Sequence, residues 1–101
     1  METLKLLSDF FTAVEKDFRI SSTHIAIYAA LLKFRSDMGF VNPISASADD
    51  IKPIAKLSSS KVYLRCVGEL NEYGYLVYVP VKKRKQKSRI YFLGIKEVEQ
   101  I

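Results

Sequence analysis

The 101 residues predict an α+β domain in which four helices precede a strand pair, and three observations carry that reading. Apolar residues recur at helical spacing along most of the first 73 positions, and the pattern then changes at Gly74 to β-branched and aromatic residues. The composition, 49% hydrophobic and 27% charged with only 4 Gly and 3 Pro, is that of one compact core with no room for a second domain.

Leu4, Leu7, Phe11, Val14 and Phe18 alternate in steps of three and four, which predicts an amphipathic helix over residues 3–18. Leu6 and Phe10 widen that stripe beyond what one face can bury. This surplus leads to the expectation of a homodimer built partly from residues 1–20. Ser21, Ser22 and Thr23 then offer N-cap side chains to a helix reaching about Arg35, and its apolar residues on nearly every side imply burial. Asp37-Met38-Gly39 breaks it, and Pro43 holds Val41 to Ile44 extended.

A short third helix carries Ile51, Ile54 and Ala55, capped by Ser47, Asp49 or Asp50. Pro53 fits only a first turn, which favours a start near Asp49 or Asp50. After Lys56-Leu57, the run Ser58-Ser59-Ser60 caps a helix whose apolar face is Val62, Tyr63, Cys66, Val67, Leu70 and Tyr73, with Gly74 as its left-handed stop. Gly68 weakens the middle of that helix by about 1 kcal/mol relative to alanine, and close helix packing would give it a reason. Strands follow at 75–79 and 90–93. The run between them specifies no tight turn, so a longer loop joins the hairpin.

The charge is unevenly placed. The formal net charge is +5, and residues 75–101 alone hold seven cations against two anions. Lys82, Lys83, Arg84, Lys85, Lys87 and Arg89 crowd into residues 82–89, a density that calls for an anionic partner, most simply a phosphate backbone. The plainer alternative is a solvated tip whose lysines guard a sheet edge, which needs fewer cations than six.

From Ser47 to Phe92 the chain resembles the winged helix-turn-helix domain of bacterial and phage DNA-binding proteins. The features that carry the resemblance are a serine-rich helix start, a leucine some way along, and Leu70-Asn71-Glu72-Tyr73-Gly74-Tyr75-Leu76 leading into a strand. With the preceding helix and the Pro43-Ile44 segment as a first strand, it covers residues 21–95. It is most similar to regulators and replication-associated proteins of plasmids, phages and other mobile elements.

The resemblance implies a three-helix core with an extra N-terminal helix and a small antiparallel sheet forming a wing. It implies double-stranded DNA as partner, with Ser58, Ser59, Ser60, Lys61, Leu64 and Arg65 of the recognition helix (58–73) at the major groove. Lys82, Lys83, Arg84, Lys85, Lys87 and Arg89 would be the wing on the backbone. The alternative function is a protein or RNA interaction module on the same scaffold.

Other chemistry finds little support. No nucleophile elbow, phosphate loop or metal-ligand spacing occurs, and the adjacent Asp49 and Asp50 point in different directions on a helix, so no enzymatic activity is expected. One cysteine and one histidine fall short of a structural zinc site, and no cofactor is expected. Cys66 reads as a buried hydrophobe, His24 as a surface or packing residue, and Arg65 alternatively as a helix-surface partner of Glu69. With no membrane-spanning run and no signal-peptide pattern after Met1, the expected location is the cytoplasm.

Overall fold

The computed structural model describes residues 2–81 and 87–93. Four helices and three strands follow one another as α1 (Glu2–Val14), α2 (Ser22–Asp37), β1 (Ile44–Ala46), α3 (Ala48–Ala55), α4 (Ser60–Glu72), β2 (Leu76–Val79) and β3 (Ser88–Phe92). The sheet is antiparallel in the order β1-β3-β2. Among the described residues no helix is long and apolar enough to cross a membrane.

Helix α2 is the centre of the core. Ile27, Tyr28, Ala30, Leu31 and Leu32 are all buried on it, as its broad apolar arc predicts, and only a narrow polar strip with Ser22, Lys33 and Asp37 stays exposed. Ser21 caps it in a box closed by His24, whose ring replaces the usual acidic side chain and accepts the Ser21 N–H at 2.9 Å. Against α2 lie Tyr63, Cys66, Val67 and Leu70 of α4, Ile51 of α3, and Ile44, Leu76, Ile90 and Phe92 of the sheet, in one continuous cluster. Helix α4 ends as expected, with Gly74 at φ +89° and Tyr75 N–H returning to the Leu70 carbonyl at 2.9 Å.

Several expectations need correction. Helix α1 stops at Val14, four residues early, because Asp17 is drawn into a turn instead. Its carboxylate accepts the Arg19 guanidinium at 2.9 Å and the Tyr75 hydroxyl at 2.6 Å, and these partners, Arg19 foremost, hold it well below the usual carboxylate range. Phe18 is thereby left wholly exposed. The core face of α1 is also not the expected one. Leu6 and Phe10 are buried, Phe10 stacked on Tyr28 with ring centroids 4.0 Å apart, while Leu4 and Phe11 face outward.

Helix α3 starts earlier than Pro53 suggested, at Ala48 behind Ser47, so the proline sits in its second turn. The amide bond lost there is the one to the carbonyl of Asp49, a solvent-exposed residue, which limits the cost. Ser88 and Arg89 belong to strand β3 and not to the loop, since β1 supplies their partners, Ala46 and Ser45. Asn42 extends that edge with its side chain, accepting the Phe92 N–H at 2.9 Å and donating to the Phe92 carbonyl at 3.1 Å. On the other edge Asn71 accepts the Tyr78 N–H and Pro80 has none to offer, which blunts β2 against strand pairing.

No close packing explains Gly68. A Cβ built there meets nothing within 4 Å. Gly68→Ala is therefore expected to raise stability by about 1 kcal/mol through helix propensity alone, read as a higher midpoint in urea or heat.

The buried phenols set an upper pH limit. Burial, with Asp9 nearby, pushes Tyr28 up to about 12, and burial plus its bond to Asp17 does the same for Tyr75. Burial also raises Tyr63, whose hydroxyl has no hydrogen-bond partner among the described residues. Since an unfolded tyrosine ionises near 10, the stability these groups contribute is complete below about pH 10 and is lost as pH climbs toward about 12. Far-UV circular dichroism and phenolate absorbance should then change together in that window, and Tyr28→Phe should move the transition upward.

Candidate nucleic-acid interface

The outward side of α4 is set by its inward side. Tyr63, Cys66, Val67 and Leu70 are buried, so Lys61, Leu64 and Arg65, offset by about half a turn, project to solvent. All three are exposed, Leu64 at 49%.

The three serines separate into different jobs. Ser58 lies before the helix and is exposed. Ser59 is the N-cap, its hydroxyl accepting the Val62 N–H at 3.1 Å. Ser60 accepts the Lys52 ammonium at 2.8 Å, which fastens the start of α4 to α3.

The basic run is only partly within view. Lys82, Lys83, Arg84 and Lys85 lie outside the described residues. Arg89 is exposed on β3, opposite Ser45 and Val79. Lys87 is committed elsewhere, its ammonium 2.9 Å from the Asp50 carboxylate. Burial pushes the Asp50 carboxyl up, but Lys87 together with the backbone N–H and hydroxyl of Ser47 outweighs it, and Asp50 sits below its ordinary value. Asp50 thus closes the capping box of α3 and anchors the base of the basic connection in one carboxylate. Sequence reading missed this pair because Asp50 and Lys87 are remote in the chain.

Helix α3 consequently holds both parts of the face. Asp50 grips the strand-end cation on one flank, and Lys52 grips Ser60 on the other. The αL conformation of Lys56, with φ 62°, turns the chain sharply between α3 and α4.

A second constellation lies behind α4. His24, Cys66 and Glu69 offer ligand atoms within 4.8 Å of one another, a grouping the sequence reading missed by counting soft ligands alone. The hydrogen bonds argue against a metal there. Because Nδ1 accepts the Ser21 N–H, Nε2 carries the proton and donates to Glu69 Oε1 at 2.8 Å. A metal on Nε2 would need that lone pair, and with it a proton on Nδ1, which would give up the bond from the Ser21 N–H and turn to Ser21 Oγ, 2.9 Å away. The His24–Glu69 pair is a bridge between α2 and α4, with Cys66 buried beside it. It also takes Glu69 away from Arg65, whose Nη2 lies 3.8 Å from Cys66 Sγ.

Compared with family models, curated proteins and solved structures, the chain matches none, so the functional reading rests on the α4 face and the base of the basic connection.

Proposed function

We propose that the chain is a winged helix-turn-helix domain that binds double-stranded DNA, serving transcription or replication of a bacterial mobile element. In this reading α4 enters the major groove and residues 82–89 meet the phosphate backbone. The observation that carries it is the convergence on α3: Lys52 positions the α4 N-terminus with Lys61 and Arg65 exposed, and Asp50 positions the base of the six-cation run. The element order from α2 to β3 and the strand order β1-β3-β2 are compatible with a winged helix and support the reading. Arg65, free of Glu69, has the fork geometry for guanine O6 and N7, and Leu64 suits a thymine methyl.

The test is fluorescence anisotropy of a labelled random duplex between roughly 50 and 200 mM salt. The wild type should bind with a slope of log K against log salt of about −4 to −5, and changing Lys82, Lys83, Arg84 and Lys85 together to alanine should remove about three units of it. A folded protein that binds no duplex at low salt would overturn the reading. That outcome favours the second one, a protein or RNA interaction module, which the exposure of Leu64 and of Ile54 at 37% supports.

A further inference from the structure

One cation of the basic run is answered by the protein itself. Lys87 Nζ lies 2.9 Å from Asp50 Oδ2, and that same oxygen accepts the Ser47 N–H at 2.9 Å and the Ser47 hydroxyl at 3.1 Å. The carboxylate is thus fixed by the α3 cap as well as by the lysine, and its place in the first turn of α3 favours the charged form. On its inner side lies the buried Tyr63, whose phenol is raised by burial and by Tyr78 and Asp50. Lys5 with Asp9 and Lys33 with Asp37 are pairs of another kind, exposed and four residues apart on one helix, as helical spacing alone produces. Asp50 and Lys87 are far apart in the chain, and only 24% of the Asp50 side chain is exposed.

We infer that Asp50 limits the affinity of this face for duplex DNA: by neutralising Lys87 it withholds one phosphate contact and keeps binding to arbitrary sequences weak. The inference rests on the DNA-binding reading. Lys61, Arg65 and Arg89 are exposed and form no ion pair among the described residues, so the restraint falls on Lys87 in particular. A phosphate that drew Lys87 away would leave the fixed Asp50 carboxylate unpaired beside it, a like-charge contact that opposes the exchange.

Charge counting makes the inference quantitative. The pair sums to zero in the wild type and again in Asp50→Asn/Lys87→Ala, whereas Asp50→Asn alone leaves one net cation at the base of the run. One more phosphate neutralised steepens the slope of log K against log salt by about 0.9. Phosphate contacts carry no base information, so the gain is the same on every duplex and the preference supplied by α4 is untouched.

Fluorescence anisotropy of the full chain on several labelled duplexes of unrelated sequence, between roughly 50 and 200 mM salt, tests it with these three proteins. An asparagine oxygen still accepts the Ser47 N–H, so the α3 cap is kept, and circular dichroism checks the fold. Asp50→Asn should bind every duplex about tenfold tighter at the low-salt end and about threefold tighter at the high-salt end, and the double variant should return to the wild-type affinity and slope. If Asp50→Asn loses its circular dichroism signal, Asp50→Ser makes the same charge change and is read in the same way. A folded Asp50 variant that binds no tighter, or a double variant that keeps the gain, overturns the inference while wild-type binding stands. A wild type that binds no duplex overturns the DNA reading, and the inference with it.

Discussion

Arg35→Met is expected to cost about 3–5 kcal/mol of folding stability, a large share of what a domain of this size has. The side chain is 2% exposed, so its bonds form out of water. Nε donates to the Val41 carbonyl at 3.0 Å, and Nη2 donates to the Phe40 carbonyl at 3.0 Å and to Glu2 Oε1 at 2.7 Å. The guanidinium also lies 5.7 Å from the centre of the Phe40 ring and 5.9 Å from that of Phe92. One residue thus fixes the connection from α2 to β1, where Gly39 and Phe40 both adopt positive φ, and ties α1 to it.

Methionine fills similar space but leaves two carbonyls without their donor and Glu2 without its partner. Glu2→Gln should cost far less, about 1 kcal/mol or under, because Glu2 is 45% exposed and a glutamine oxygen can still accept. Arg35→Lys should fall between the two, since an ammonium cannot reproduce the fork. Urea unfolding followed by circular dichroism separates them. A cost for Arg35→Met no larger than that for Glu2→Gln would mean that the carbonyl bonds contribute little.

The double variant Lys61→Ala/Arg65→Ala is expected to lower affinity for duplex DNA about 100-fold while leaving stability within about 0.5 kcal/mol of the wild type. Both residues are exposed, and neither is the partner of an ion pair among the described residues. A loss confined to particular sequences would assign Arg65 to base contact. A loss equal on every duplex, with the salt slope reduced by about one to two units, would assign both to phosphates. Lys87→Ala should change affinity much less, because Asp50 already neutralises that ammonium, and its larger effect should be on stability. Equal losses from Lys87→Ala and from the double variant would contradict this division of roles.

Much of the architecture was legible in local pattern. The buried face of α4, its serine cap and its stop at Gly74 are encoded within a few residues of one another, so 3.6-residue periodicity and turn chemistry suffice to read them. The same holds for the burial of α2, whose apolar residues far outnumber the few polar ones, Ser22, Lys33 and Asp37, that stay exposed. Gly68 shows where such reading overreaches: a helix-weakening residue suggested tight packing, yet open space surrounds it.

The sequence by itself determined the order of elements, the buried side of α4 and the crowding of positive charge after β2, because each depends on neighbours close in the chain. Tertiary structure decided which part of the broad apolar arc of α1 meets the core, since an arc wider than one contact leaves the choice to the shape of α2. It also decided that Arg35 is buried, that Glu69 answers His24 and leaves Arg65 free, and that Lys87 is held by Asp50. These are pairings between residues far apart in sequence. They form only when the packed helices bring the partners within hydrogen-bond distance, and no local period records them.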